Sequence, residues 1–178
     1  MINHIINIVH LIFDQLQIHF KGKASLMTKV LMVCMGNICR SPMACSVARQ
    51  MARQMQRSAD FEFDSAGTHA HTGQLMDVRA RSVLVQRKYT PIKTRSRQIS
   101  LQDFQNFDLI LAMDEENLSA LWEQCPEPWH HKLHLFLSHA TKIQTTEVPD
   151  PYYGGIFGFE YVLDLCEVGV LSYLGYGQ

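Results

Sequence analysis

Two residues of complementary chemistry stand six positions apart in the string CMGNICRS: Cys34, a latent nucleophile, and Arg40, a planar cation. A short loop between them that curls around an oxyanion can aim several backbone N–H groups inward. The guanidinium adds two parallel donors that match two phosphate oxygens. Gly36 permits close backbone approach, and Asn37 tolerates a left-handed conformation. A cysteine at the base of such a cradle faces donors and positive ends, which favour its nucleophilic thiolate form. Ser41 stands where its hydroxyl can donate to the Cys34 sulfur and help it leave. The chemistry implied is displacement at phosphorus by sulfur. A lone cysteine is more often a small buried core residue, and a Cys and an Arg at this spacing recur by chance. Here the pair lies between an apolar run and the helix-opening Ser41-Pro42 step, a context that favours the chemical role.

The surrounding sequence supplies the elements to position that pair. Residues 29–35 (KVLMVCM) are apolar, the pattern of a buried strand. MACSVARQMARQMQ then carries helical periodicity, with Pro42 near the helix start. FEFDSAGT predicts a second strand, residues 76–89 a second helix with Asp77 in its first turn, and residues 107–113 a third strand. DEENLSALWEQ follows as a helix with Asp114 as its N-cap. HHKLHLFL predicts a weaker fourth strand, TEVPDPYYGG a loop and residues 157–174 a last helix. Buried strands alternating with helices define an α/β fold, a parallel sheet covered on both faces. In such sheets ligands bind beyond the carboxyl ends of the strands, where the strand order reverses.

A chain of 178 residues with 47% hydrophobic and 19% charged residues fits one globular domain. A net charge of -1 gives no sign of a nucleic-acid partner. The five cysteines are odd in number, and their spacing fits neither a secreted disulfide framework nor a zinc site. They fit a reduced protein of the cytoplasm. Residues 1–27 are set apart as an N-terminal extension to a single domain spanning 28–178. Apolar positions 2, 5, 6, 9, 12, 13 and 16 share one helical face, which suits a docking helix. Met27 equally suits a functional start that would leave the extension untranslated. Asn3, His4, Asn7, His10 and Asp14 interrupt the segment too often for a spanning helix, so no firm membrane association is expected. Asp150, in VPDPYYGG, is stiffened by Pro149 and Pro151 and could act as an acid held over a pocket. An Asp-Pro step is as readily a plain turn.

VCMGNICRSPMA resembles the signature loop of low-molecular-weight protein-tyrosine phosphatases. DSAGT, TRSRQI, FDLILAMDEEN and DPYYG are similar to further segments of that family, in its order, over about residues 28–170. The resemblance implies a three-layer sandwich with a four-stranded parallel sheet, a phosphate-binding loop after the first strand, and neither metal nor cofactor. It makes Cys34 the nucleophile, Arg40 the phosphate clamp and Asp150 the general acid, later the base that activates water against a phosphocysteine. It assigns Met35, Gly36, Asn37, Ile38, Cys39 and Ser41 to the phosphate-binding loop. Tyr152 and Tyr153 become the walls of a deep pocket that favours phosphotyrosine over phosphoserine; a half-buried loop anchor is their plainer role. Asn37, Ser41 and Ser65 brace the loop, and Asp114 orients Arg40 besides capping its helix. Cys39 becomes a resolving thiol that forms a reversible disulfide with Cys34 under peroxide.

Two positions depart from the family pattern. Thr94 stands where a histidine commonly feeds the Asn37–Ser41 network, and THAHTGQ offers His71 in place of a second wall aromatic. Two other activities use the same scaffold. A phosphoarginine phosphatase carries Thr where this chain has Ile38, and a thiol-dependent arsenate reductase needs paired C-terminal cysteines, whereas Cys125 and Cys166 lie far apart. A non-catalytic phosphate-binding module has no use for Cys34 and Asp150. The partner implied is a phosphotyrosine-containing protein, with a bacterial tyrosine kinase as the family analogy.

Overall fold

Thr28–Cys34 forms β1, and its residues alternate between two apolar layers. Val30 and Met32 pack into one core cluster, Leu31 and Val33 into the other. That division shows that both faces of the strand are covered, as a parallel sheet requires. Full burial of each such side chain contributes about 1.5–3 kcal/mol. This computed structural model describes residues 27–141 and 143–175, so residues 1–26 of the expected N-terminal extension lie outside the described residues.

Three further strands join β1: β2 (Phe61–Gly67), β3 (Leu109–Ala112) and β4 (Leu133–Leu135). All pairings are parallel, in the order β2-β1-β3-β4. The helices are α1 (Arg40–Gln54), α2 (Val78–Gln86), α3 (Leu101–Asn106), α4 (Glu115–Gln124) and α5 (Ile156–Tyr173). Buried residues of α1, α2 and α5 share the cluster of Val30 and Met32, whereas Phe104 of α3 and Leu121 of α4 share that of Leu31 and Val33. The result is the expected three-layer α/β sandwich. Because β1 is flanked by β2 on one side and β3 on the other, the strand order reverses at its carboxyl end. That is where a ligand crevice forms in such a sheet, and it is where Cys34 lies.

The structure refines the predicted elements at three places. Helix α1 starts at Arg40, so the guanidinium belongs to the helix's first turn. The fourth strand keeps only Leu133–Leu135, because Glu127–Lys132 before it winds into a 3-10 helix led by Pro126. Helix α3 was not anticipated. Its start signal is nonetheless present: the Asp103 carboxylate accepts from the Ser100 N–H at 2.8 Å and the Ser100 side chain accepts from the Asp103 N–H in return, the reciprocal arrangement of a capping box. Among the described residues no helix is long and apolar enough to cross a membrane.

Candidate active site

Residues 34–41 turn tightly between β1 and α1. Cys34, at the strand end, is 3% exposed, and Arg40 is equally buried. Asn37 adopts φ 54°, the left-handed region its short side chain tolerates. The amide of Asn37 spans the loop. Its Nδ2 donates to Ser41 Oγ at 2.9 Å, and its Oδ1 accepts from the Arg97 N–H at 2.9 Å. Ser41 Oγ lies 3.1 Å from the Cys34 sulfur and 3.2 Å from the Ala66 carbonyl. Its single proton therefore has two acceptors within reach, the sulfur and the carbonyl.

Thr94 is exposed. The Asn37 amide oxygen is met by the Arg97 backbone N–H. The Arg97 guanidinium is clamped between Asp64 at 2.9 Å and Asp103 at 2.9 and 3.0 Å, which fixes the N–H that Asn37 uses. Ser65 is buried in β2, in register with Met32 of β1, one strand away from the loop.

The end of β2 supports the loop by a route that sequence reasoning did not assign. The Thr68 N–H donates to the Cys34 carbonyl and the His69 N–H to the Met35 carbonyl, both at 2.9 Å. Gly67 makes this approach possible. A Cβ there would lie 2.5 Å from the Met35 oxygen and 3.1 Å from the Asn37 nitrogen, so any side chain would push the loop away. The glycine of DSAGT was legible as part of a motif, but its crowding by backbone atoms was not. The exposed His71 has its carbonyl pinned by Ser96 Oγ at 2.5 Å.

Arg40 gathers the rest of the site. One terminal nitrogen donates to the Asp114 carboxylate and, at 3.0 Å, to the Val148 carbonyl. The other reaches Asp150 Oδ2 at 3.4 Å. Burial opposes the guanidinium's charge, but the Cys34 sulfur and the Asp114 carboxylate outweigh it and hold Arg40 above its ordinary range. Asp114 makes two contacts at once: one oxygen accepts from Arg40, and the other caps α4 by accepting from the Asn117 N–H at 2.7 Å.

Asp150 sits in a segment tied to the sheet by the Val148 N–H, which donates to the Met113 carbonyl at 2.7 Å. Its Oδ1 accepts from the Tyr152 N–H at 3.0 Å, a turn that aims the carboxylate at the loop. Tyr152 and Tyr153 meet edge to face at 5.2 Å. Tyr153 is 93% exposed, so it does not anchor the loop in the core. Ile38 packs partly against the core, and Met35 is exposed beside it. Burial first, then the Asp77 carboxylate and Cys34, push the Cys39 thiol up to about 12. Among the described residues no group of three or more His, Cys, Asp or Glu side chains is placed to hold a metal ion.

A cysteine on a strand end, a buried guanidinium and a carboxylate thus converge on one crevice, the equipment for transferring a phosphoryl group to sulfur. The sequence profile of the low molecular weight phosphotyrosine protein phosphatases matches residues 29–175. The Schizosaccharomyces pombe low molecular weight phosphotyrosine protein phosphatase is 43% identical over 135 residues, covering 74% of this chain and 85% of the relative. The crystal structure of an Entamoeba histolytica protein tyrosine phosphatase superposes with a TM-score of 0.79 at 42% identity, covering 83% of this chain and 94% of that one. A low molecular weight phosphotyrosine phosphatase of Vibrio cholerae gives 0.78 at 38%, covering 83% and 94%. The chain belongs to the low molecular weight phosphotyrosine protein phosphatase family, whose members are hydrolases.

Proposed function

We propose that this chain hydrolyses phosphotyrosine monoesters on proteins in two steps, with Cys34 as nucleophile, Arg40 as phosphate clamp and Asp150 as acid and then base. The observation that carries this reading is the convergence on Arg40, which touches both Asp114 and Asp150 beside the Cys34 loop. In the first step the Cys34 sulfur attacks phosphorus, and the ester P–O bond breaks. The proton of the Asp150 carboxyl passes to the leaving phenolic oxygen. In the second step the Asp150 carboxylate takes a proton from water. The resulting hydroxide attacks phosphorus, the P–S bond breaks, and inorganic phosphate leaves with the Cys34 thiolate restored. Arg40 and the backbone N–H groups of the loop stabilise the charge that builds on the equatorial oxygens. Met35, Gly36, Ile38 and Cys39 complete the loop around the phosphate, with Ser65 as a more distant support.

Residues 28–178 then form the catalytic domain and 1–27 an extension to it. The partner is a protein bearing an accessible phosphotyrosine, for which a bacterial tyrosine kinase is the family analogy. Five free thiols suit the reducing cytoplasm.

The test sets a phosphotyrosine peptide against phosphoserine and phosphoarginine substrates. The exposed pair Tyr152 and Tyr153 suits an aromatic ring, an interaction of about 0.5–1.5 kcal/mol and hence about two- to tenfold in discrimination. Faster turnover of phosphotyrosine is the expected result. Preference for phosphoarginine would reassign the chain to the other activity of this scaffold.

Cys39 provides a second expectation. A thiol held near 12 is almost wholly protonated at neutral pH and does not compete with Cys34 for phosphate esters. Once peroxide has oxidised Cys34 to the sulfenic acid, Cys39 is the neighbouring thiol that can displace water and close a disulfide. Mild peroxide should give a Cys34–Cys39 disulfide by mass spectrometry, with activity restored by dithiothreitol. Finding only sulfinic and sulfonic acids would remove this role from Cys39.

A further inference from the structure

Asp77 and Arg79 lie outside the phosphate loop and outside the Asp150 segment, yet they connect the two. The Asp77 N–H donates to the Ile38 carbonyl at 2.9 Å, which ties the start of α2 to the phosphate loop. The Asp77 carboxylate caps α2 through the Arg79 N–H at 2.8 Å. It also grips the Arg79 side chain through Nε at 3.0 Å and Nη2 at 2.8 Å. A guanidinium held by a carboxylate on those two nitrogens has its third nitrogen aimed outward in a fixed plane. That nitrogen, Nη1, donates to the Tyr152 carbonyl at 3.0 Å and to the Gly154 carbonyl at 3.3 Å. The guanidinium also lies over the Phe159 ring at 4.6 Å and the Tyr152 ring at 5.5 Å.

These contacts close a circuit. It leaves the phosphate loop at Ile38, runs through Asp77, Arg79 and Tyr152 to Asp150, and returns to the loop at Arg40. An isolated surface ion pair would matter little. This one joins the two halves of a catalytic centre. Its value rises during the reaction. When Arg40 turns the nitrogen that meets Asp150 toward phosphate, Asp150 gives up that contact and is then oriented by the Tyr152 N–H, whose residue Arg79 holds on its carbonyl side. The segment beyond has two adjacent glycines, Gly154 and Gly155, and the exposed Tyr153, so it carries few restraints of its own.

We propose that Arg79, held by Asp77, is a positioning residue for the proton-transfer step, fixing the Tyr152–Gly154 segment and through it the aim of Asp150. The proposal rests on the phosphatase reading above. Misplacing a catalytic group by about 1 Å costs on the order of 10²-fold, so the effect should be large where the leaving group needs a proton and small where it does not.

The experiment compares kcat/KM for phenyl phosphate, a poor leaving group, and p-nitrophenyl phosphate, a good one. It uses wild type, Arg79→Ala, Arg79→Lys, Asp150→Ala and the Arg79→Ala, Asp150→Ala pair, with a melting curve for each. Loss of part of the general-acid contribution predicts that Arg79→Ala lowers kcat/KM about tenfold for phenyl phosphate and about twofold for p-nitrophenyl phosphate. Arg79→Lys, which keeps the charge but not the fork, should fall between. In the Asp150→Ala background the further loss should vanish, since two residues serving one step are not additive. Equal losses on both esters, or a loss that persists without Asp150, would overturn the proposal and leave Arg79 a purely structural residue. A wild type inert on both esters would overturn the phosphatase reading itself.

Discussion

Cys34→Ser is expected to take turnover of p-nitrophenyl phosphate to background, a loss on the order of 10⁴–10⁶, as for other single nucleophiles. The expectation rests on what surrounds the sulfur. Serine matches cysteine in shape, so the buried strand end and its 3.1 Å neighbour Ser41 are undisturbed. A hydroxyl in that place is nonetheless a weak nucleophile unless a base takes its proton. Its recorded side-chain neighbour is Ser41, another hydroxyl. The loop donors and Arg40 remain, so phosphate binding and the melting temperature should persist while chemistry stops. Titration calorimetry with inorganic phosphate, beside initial rates, separates the two. Activity within tenfold of wild type would mean that another group attacks phosphorus.

Asp150→Ala should lower kcat/KM for phenyl phosphate by about 10²–10³, within the usual range for general acid–base catalysis, and for p-nitrophenyl phosphate far less. Nitrophenolate leaves without a proton, whereas phenolate does not leave readily. The truncation should be benign for the fold. The side chain is 36% exposed, and Arg40 keeps Asp114 and the Val148 carbonyl when Asp150 is gone. An equal loss on both esters would show that Asp150 holds Arg40 rather than donating a proton.

The two residues differ in how openly the sequence declares them. Cys34 and Arg40 lie in one short loop, and a strand before and a helix after identify its geometry, so local pattern sufficed. Asp150 meets Arg40 across 110 positions and sits in an Asp-Pro step that equally well makes a turn. Only the family resemblance separated those alternatives. Contacts made by backbone atoms left no trace. The Val148 carbonyl that Arg40 uses, the Arg97 N–H that Asn37 uses, and the carbonyls that Arg79 holds belong to residues whose side-chain types are immaterial to the bond. Helix α3 is a different kind of miss. Ser100 and Asp103 carry the capping spacing, but six residues give too little periodicity to register. The fourth strand was read too long because HHKLHLFL alternates well, while Pro126 and Pro128 just upstream favour a tight helical turn.

The same long separation between Arg40 and the Val148–Asp150 segment bears on how the enzyme comes into being. A polypeptide leaves the ribosome N-terminal end first, at about 5–20 residues per second. The nucleophile loop emerges early, with β1 and the first turn of α1. The carboxylate that completes it emerges more than a hundred residues later, a delay of several seconds on that scale. Until then Arg40 lacks the Val148 carbonyl and the Asp150 carboxylate, while the Asp114 carboxylate, 74 positions on, has already emerged. The contacts around Arg40 are therefore complete only once the Val148–Asp150 segment has been made.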